Sequence, residues 1–308
     1  NVAKYYYNLA WTQTKLQEYD NAIENYKIAL NIEPNHPEAQ FKLSLIYLNR
    51  ENFLEGWKNY EGRIKIKEAD NNQKRILSLT QWCGEKFDGI LYVHGEQGVG
   101  DQILYSSMIT DLYKIHNNIC IVVDSRMVNL FKRSFKRIKI ISEEKNIKYN
   151  VKDNHILFGS LGKFFRNSLD DFKPDQKSWL IPDEKRVTEF KKYFSQSKKI
   201  KVGLSWKTSG IYNNKRNVSL VDLAKIFPEE NFEIINLQYG DIESDKKTLK
   251  DEANRELICF DHLDYTNDLE GLAGLMCNCD LVVAIGGFNA SFASVLGKTT
   301  WAVVPYNR

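Results

Sequence analysis

The hydrophobic and polar positions change their period part-way along the chain. Up to about residue 68 the apolar residues recur at helical spacing and repeat themselves at an interval of 34: Tyr19, Ala22 and Tyr26 are followed by Phe53, Gly56 and Tyr60, and Leu9 by Leu43. Each repeat reads as two helices. In the first, Tyr6, Leu9, Ala10 and Gln13 share one face, and Ala22, Tyr26 and Ala29 share the face opposite; Pro34 ends the second helix and Pro37 opens the next repeat. Small residues let antiparallel helices approach closely, while Tyr6, Leu9 and Tyr26 fill the space between them. From about Gln81 short β-branched runs alternate with amphipathic stretches, the pattern of parallel sheets with helices on their faces. Strands are predicted at 90–93, 119–123, 138–141 and 155–158, with helices starting after Asp101 and over 128–135. A proline break and a connecting helix in WLIPDEKRVTEF lead to a second alternation, with strands at 200–206, 232–237, 281–285 and 300–304 and helices at 220–226 and 268–276. Each alternation contains a strand that runs through a glycine-containing loop into a helix. Ligands of such units bind beyond the carboxyl ends of the strands, so two units facing each other predict a substrate cleft between them.

Composition narrows the function classes. With 308 residues, 43% of them hydrophobic, the chain can bury more than one core, and two or three domains are expected. Lys and Arg (43) nearly balance Asp and Glu (40), so charge gives no argument for nucleic acid, and RSFKRIKI (133–140) reads as a solvated helix followed by a buried strand. Five cysteines, scattered through apolar stretches, read as reduced thiols in a cytoplasmic protein; Cys277 and Cys279 lack the partners of a zinc site. Mean hydropathy is −0.46 and no apolar run approaches the ~20 residues of a membrane span. The chain begins at Asn1 without a signal-peptide pattern, and two repeats are fewer than the roughly three that stand alone, so a longer parent protein is expected.

The first glycine loop, GEQGVGD (95–101), lacks the Lys-[ST] of a P-loop and the spacing of GxGxxG. Gly95, Gly98 and Gly100 allow close backbone approach at a helix N-terminus, where anions are attracted. Asp101, at or near the N-cap, has two readings: a capping carboxylate, or a general base for an acceptor hydroxyl. Capping is expected to lower its pKa and so to oppose the second role. Asp124 ends ICIVVD about where a ribose-binding acid of a dinucleotide site lies, but the glycine spacing argues against NAD. Asp268 reads as a helix N-cap.

Two resemblances follow from these motifs. YDNAIENYKIALNIEP resembles the tetratricopeptide repeat; the match decays in the second repeat, where Arg63 replaces a small residue, as suits a terminal repeat handing over to another domain. Such repeats imply a protein or peptide partner. WCGEKFDGILYVHGEQGVGDQILYSSMI, IKVGLSWKTSG, KRNVSLVDL, INLQYGD and NDLEGLAGLMCNCDLVVAIGGFNASFASVLGKTTWAVVP, in that order, resemble the tetratricopeptide-repeat glycosyltransferases related to glycosyltransferase family 9, the ADP-heptose:lipopolysaccharide heptosyltransferases. The most specific part is the linkage of WKNYEGR (57–63) to W-x-G and GEQGVGD. This resemblance implies an α/β, GT-B-like pair of Rossmann-like domains behind an all-α repeat segment: repeats over 1–68, an acceptor-side domain over 69–182, and a nucleotide-sugar domain over 183–308, truncated before its closing helix. It implies sugar transfer from a nucleotide-diphosphate donor to a hydroxyl with inversion, without metal or cofactor. Asp101 is then the base; Gly98 and Gly100 face the sugar; Trp206, Lys207 and Arg216 lie near the diphosphate; and Gln238 meets base or ribose. Where the family commonly has Asp-Thr and then His, this chain has Gly286-Gly287 and Ser291, so the cradle would come from Gly286, Gly287 and Phe288 N–H groups helped by Asn289 and Ser291. That departure keeps a second expectation in play, a noncatalytic repeat adaptor with a degenerate transferase-like part.

Overall fold

The computed structural model describes residues 2–66, 79–172, 178–208 and 217–304. Four helices open the chain: α1 (Val2–Lys15), α2 (Tyr19–Ile32), α3 (Pro37–Asn49) and α4 (Phe53–Tyr60), the last running into a 3-10 turn, Glu61–Lys65. α2 stops two residues before Pro34, and α3 takes Pro37 at its first position, where the missing N–H has no helical partner to lose. Ala3, Ala10, Ala22, Ala29 and Ala39 are fully buried, and Tyr26 and Leu43 fill the gaps they leave. Tyr6, Leu9 and Gln13 are only half-buried, so close approach of the helices rests on the alanines more than on these larger side chains.

Five strands, β1 (Thr80–Gln81), β2 (Leu91–His94), β3 (Ile119–Val123), β4 (Lys139–Ser142) and β5 (Asn154–Leu157), form a parallel sheet in the order β1-β5-β2-β3-β4. Leu91 of β2 lies opposite Ile119 on one side and Asn154 on the other. Every residue of β2 and β3 is buried, which is why both strands read as unbroken apolar runs rather than alternations. The accompanying helices are α5 (Val99–Tyr105), α6 (Ile109–Ile115), α7 (Val128–Ser134) and the single turn α8 (Gly162–Phe165). β1 went unpredicted: two exposed polar residues at a sheet edge carry no periodicity.

Helix α9 (Glu184–Tyr193) leads into a second parallel sheet of β6 (Ile200–Ser205), β7 (Phe232–Asn236), β8 (Leu281–Ile285) and β9 (Thr300–Val303), ordered β7-β6-β8-β9. Its helices are α10 (Leu220–Ile226), α11 (Glu243–Ala253), α12 (Leu269–Cys277) and α13 (Phe288–Val295). α11 was also missed by the pattern, because Leu249 is its one buried side chain. The expected boundary at residue 68 lies outside the described residues.

One apolar cluster runs from Trp57 and Tyr60 of α4 through Val93, Ile121 and Phe131 to Leu237, Leu272, Met276 and Phe292, so repeats and both sheets share a core. The far face of the second sheet packs a separate cluster around Val202, Leu204, Trp206 and Leu223. The units are also joined by polar contacts: Arg126 donates to the Thr266 carbonyl at 3.1 Å, and Arg133 of α7 pairs with Glu270 of α12.

Candidate active site

The two glycine loops leave the carboxyl ends of β2 and β8, and the helices they open touch. A methyl placed on Gly100, in the first turn of α5, would stand 3.5 Å from Cα of Phe288, the first residue of α13. Both helices therefore bring their N-terminal peptide N–H groups to the junction of the units, where partial positive charge accumulates.

In the first loop, Gly98 is the N-cap and Asp101 the third residue of α5, so the helix starts two residues ahead of Asp101 and not after it. The carboxylate reaches back to accept from Gly98 N at 3.2 Å, which is the return half of a capping box. Capping is thus real, but the pKa of the carboxyl is not lowered as expected. Burial raises the Asp101 pKa, the Glu96 charge adds to the rise, and hydrogen bonds from the Gly98 N–H and its own N–H only partly offset them. Desolvation outweighs both N–H groups because the carboxylate is half-buried beside Tyr105, Glu96 and the loop backbone. The group is therefore both a cap and a better base than an exposed carboxylate, and the two roles do not compete.

At the second loop, Gly286 N donates to Val303 O at 2.9 Å, so contrary to expectation this N–H extends the sheet and is taken from the cradle, and Gly287 caps α13 at φ +152°, ψ −151°, a region open essentially to glycine. A side chain at Gly287 would find only the Ile285 carbonyl oxygen, at 3.9 Å. Ser291, half-buried, donates its N–H to Gly287 O at 3.1 Å.

The remaining expected ligands occupy different positions. Trp206 is fully buried in the second core and contributes packing, with no face toward the cleft. Gln238 is 3% exposed, and its carbonyl accepts from Ser205 Oγ, Trp206 N and Lys207 N at 3.1, 3.0 and 2.9 Å, so its amide shapes the end of β6 and has no acceptor left for a ribose or base. Asn289 is also interior, donating Nδ2 to Ser205 Oγ at 2.9 Å and to the Leu237 carbonyl at 2.8 Å. Together Asn289 and Gln238 stitch the ends of β6, β7 and α13 into one platform. Lys207 stands at the end of β6, partly exposed and ion-paired with Asp245 of α11. Arg216 lies outside the described residues. Asp268 caps α12 through a 2.8 Å bond from Gly271 N, and Asp124 caps the turn after β3 and pairs with Arg126, which holds its pKa low.

Comparison with known proteins agrees with this architecture. A tetratricopeptide repeat model matches residues 3–36, the span of α1 and α2. Protein FlbA of Caulobacter vibrioides is 26% identical over 325 aligned positions, which take in 96% of this chain; the chain spans about half (53%) of that relative's length. Among solved structures, the chain superposes on E. coli ADP-heptose LPS heptosyltransferase II with a TM-score of 0.50 at 12% identity, covering 69% of this chain and 83% of that one. It superposes on a glycosyl transferase family 9 protein from Veillonella parvula with a TM-score of 0.52 at 11% identity, covering 72% and 83%. The fold is GT-B-like.

Two residues at the join of the repeats and the first glycine loop have a place in the site that the sequence pattern does not show. Glu96, inside GEQGVGD, and Arg63, at the end of the repeats, are both buried and form a bidentate ion pair. One signal was present: a charge at Arg63 where the repeat pattern asks for a small residue.

Among the described residues no group of three or more His, Cys, Asp or Glu is placed to hold a metal ion, and no helix is long and apolar enough to cross a membrane.

Proposed function

We propose that the chain is the catalytic part of a glycosyltransferase that moves a sugar from a nucleotide-diphosphate donor to a hydroxyl acceptor, with the repeats recruiting a protein or peptide. The observation that carries this reading is the meeting of the two glycine-loop helices at Gly100 and Phe288, beside a carboxylate whose pKa burial has raised. In the proposed step the acceptor oxygen bonds to the anomeric carbon while the bond from that carbon to the diphosphate oxygen breaks, inverting the centre. The electron pair leaves with the nucleoside diphosphate, and the hydroxyl proton passes to Asp101. Peptide N–H groups of Gly287 and Phe288 meet the developing diphosphate charge, joined by Lys207, whose pairing with Asp245 holds its ammonium near the end of β6. No metal or cofactor is called for, and the nucleotide sugar is substrate.

A second reading, a noncatalytic repeat adaptor, is favoured by the inward turn of Trp206, Gln238 and Asn289, which leaves few side chains at the donor edge. Calorimetry of the full-length protein with ADP-, GDP- and UDP-sugars separates the two: binding of none of them sinks the transferase. With a donor that binds, Asp101→Asn should lower turnover by about 10²-fold or more while leaving donor affinity within about twofold; equal loss of both would make Asp101 a structural cap alone.

A further inference from the structure

The join between the repeat pair and the first glycine loop is more elaborate than a tether requires. Arg63, in the turn after α4, is 4% exposed, and its Nε donates to Glu96 Oε2 at 2.8 Å while a terminal nitrogen engages the other carboxylate oxygen. The remaining N–H groups reach the Tyr60 carbonyl, Glu61 Oε1 and Ser160 Oγ, each at 3.0 Å, and the guanidinium lies 4.4 Å from the Tyr60 ring centroid. Glu96 also accepts from Gly159 N at 2.8 Å, at a point where a methyl on Gly159 would collide with Glu96, Arg63 and Tyr60. The Tyr60 hydroxyl lies 2.9 Å from that of Tyr105 on α5 and accepts from Gln97 Nε2 at 3.2 Å. Gln97 is held at φ +59°, a left-handed conformation uncommon for a residue with a side chain. Glu96 and Gln97 immediately precede Gly98, the cap of α5.

A buried bidentate ion pair is a poor way to gain stability, since a well-packed apolar pair of the same volume serves as well or better. What it supplies is a single geometry, because the planar fork of Arg matches one carboxylate placement and a hydrocarbon matches many. The fork grips the loop at Glu96, and the Tyr60 hydroxyl grips it at the next residue, in a backbone conformation that a free loop would leave. Both grips come from the repeat segment. We infer that Tyr60 and Arg63 are positioning residues: the second repeat is a structural part of the transferase site, holding the loop so that Asp101 and the first turn of α5 face the second glycine loop. This inference rests on the reading of Asp101 as the base. Recruitment at the repeats and geometry at the site are then mechanically continuous, through one helix and one turn.

Two mild variants of the full-length protein test it: Tyr60→Phe, which removes one hydroxyl, and Arg63→Lys, which keeps the charge and loses the fork. Arg50→Gln, at the surface pair with Asp20 that joins α3 to α2, serves as control. Amide hydrogen exchange at 96–101 should accelerate about tenfold in both variants, with 121–123 in β3 and all of the control unchanged. Turnover at saturating donor should fall about tenfold while donor affinity stays within about twofold, the signature of a misplaced base rather than a lost ligand. Unchanged exchange at 96–101 in both variants overturns the inference, as does turnover that follows only the folded fraction. If the unmodified protein transfers no sugar, the transferase reading fails by itself, and the exchange measurement still decides whether the repeats hold the loop.

Discussion

His94 closes β2 one residue ahead of the glycine loop, and it makes acid stability a sharp test of how this sheet is built. The ring is buried at 4% exposure, its Nε2 has no hydrogen-bond partner among the described residues, and burial together with nearby His155 pushes its pKa down to about 3. His155 is lowered as well, by burial. A histidine whose folded pKa lies below its unfolded value of about 6.5 binds its proton in the unfolded state first. Above about pH 6.5 both states are neutral and the group has no effect on stability. As pH falls from about 6.5 toward 3, the unfolded chain gains a proton that the folded one refuses, and stability drops by about 1.4 kcal/mol per pH unit. For His94 alone this amounts to roughly 2 kcal/mol at pH 5, a large share of the 5–15 kcal/mol typical of a domain. The assay is urea unfolding at pH 7.5 and pH 5.0, compared between the natural protein and His94→Phe. The phenylalanine fills a similar space, removes the unpartnered nitrogen and cannot take a proton, so its loss between the two pH values should be smaller by roughly 2 kcal/mol. Titrating groups that do not interact with His94 cancel in the difference, and His155, which does, is compared by adding His155→Phe to both proteins. An identical loss in both proteins would show that His94 is solvated or hydrogen-bonded, and the description of this face of the sheet would be wrong.

Other expectations concern the platform, the cradle and the repeat junction. Gln238→Leu leaves Trp206 N and Lys207 N without their acceptor, which should cost on the order of 2–4 kcal/mol by chemical denaturation and weaken donor binding secondarily; a loss below about 0.5 kcal/mol would mean water replaces the amide freely. Gly287→Ala forces a side chain into its φ +152° conformation and should cost about 1–3 kcal/mol and lower donor affinity, read by thermal unfolding and calorimetry; unchanged values of both would refute the cradle. Trp57→Ala removes a ring packed on Gly162 and an indole N–H bonded to Arg166 O at 2.8 Å, with an expected loss of about 3–5 kcal/mol at the junction of repeats and sheet. Proteolysis separating intact repeats from an intact α/β part in the natural protein would contradict their shared core.

What could be read from residue order alone is what local physics writes locally. β3 and β8 lie within their expected spans because strands buried on both faces must be continuously apolar. Ala22 and Ala29 announce a close helix pair because any larger side chain would hold the helices apart, and Asp268 announces its helix because a cap bonds three residues ahead. Those signals sufficed for the repeat, the two parallel sheets and the placement of both glycine loops. They could not separate a side chain facing the cleft from one facing the core at the same strand end. Trp206 and Lys207 are neighbours in sequence, yet one is fully buried and the other partly exposed and paired with Asp245, a residue on a helix that periodicity did not reveal. Nor did the order of residues show that Asp101 is desolvated while capped, since that balance depends on Glu96, Tyr105 and the packing around them. The Arg63–Glu96 pair spans 33 residues and two architectural layers, and only tertiary structure could bring it together, because an ion pair that fixes geometry is chosen by distance in space and leaves no period in the chain.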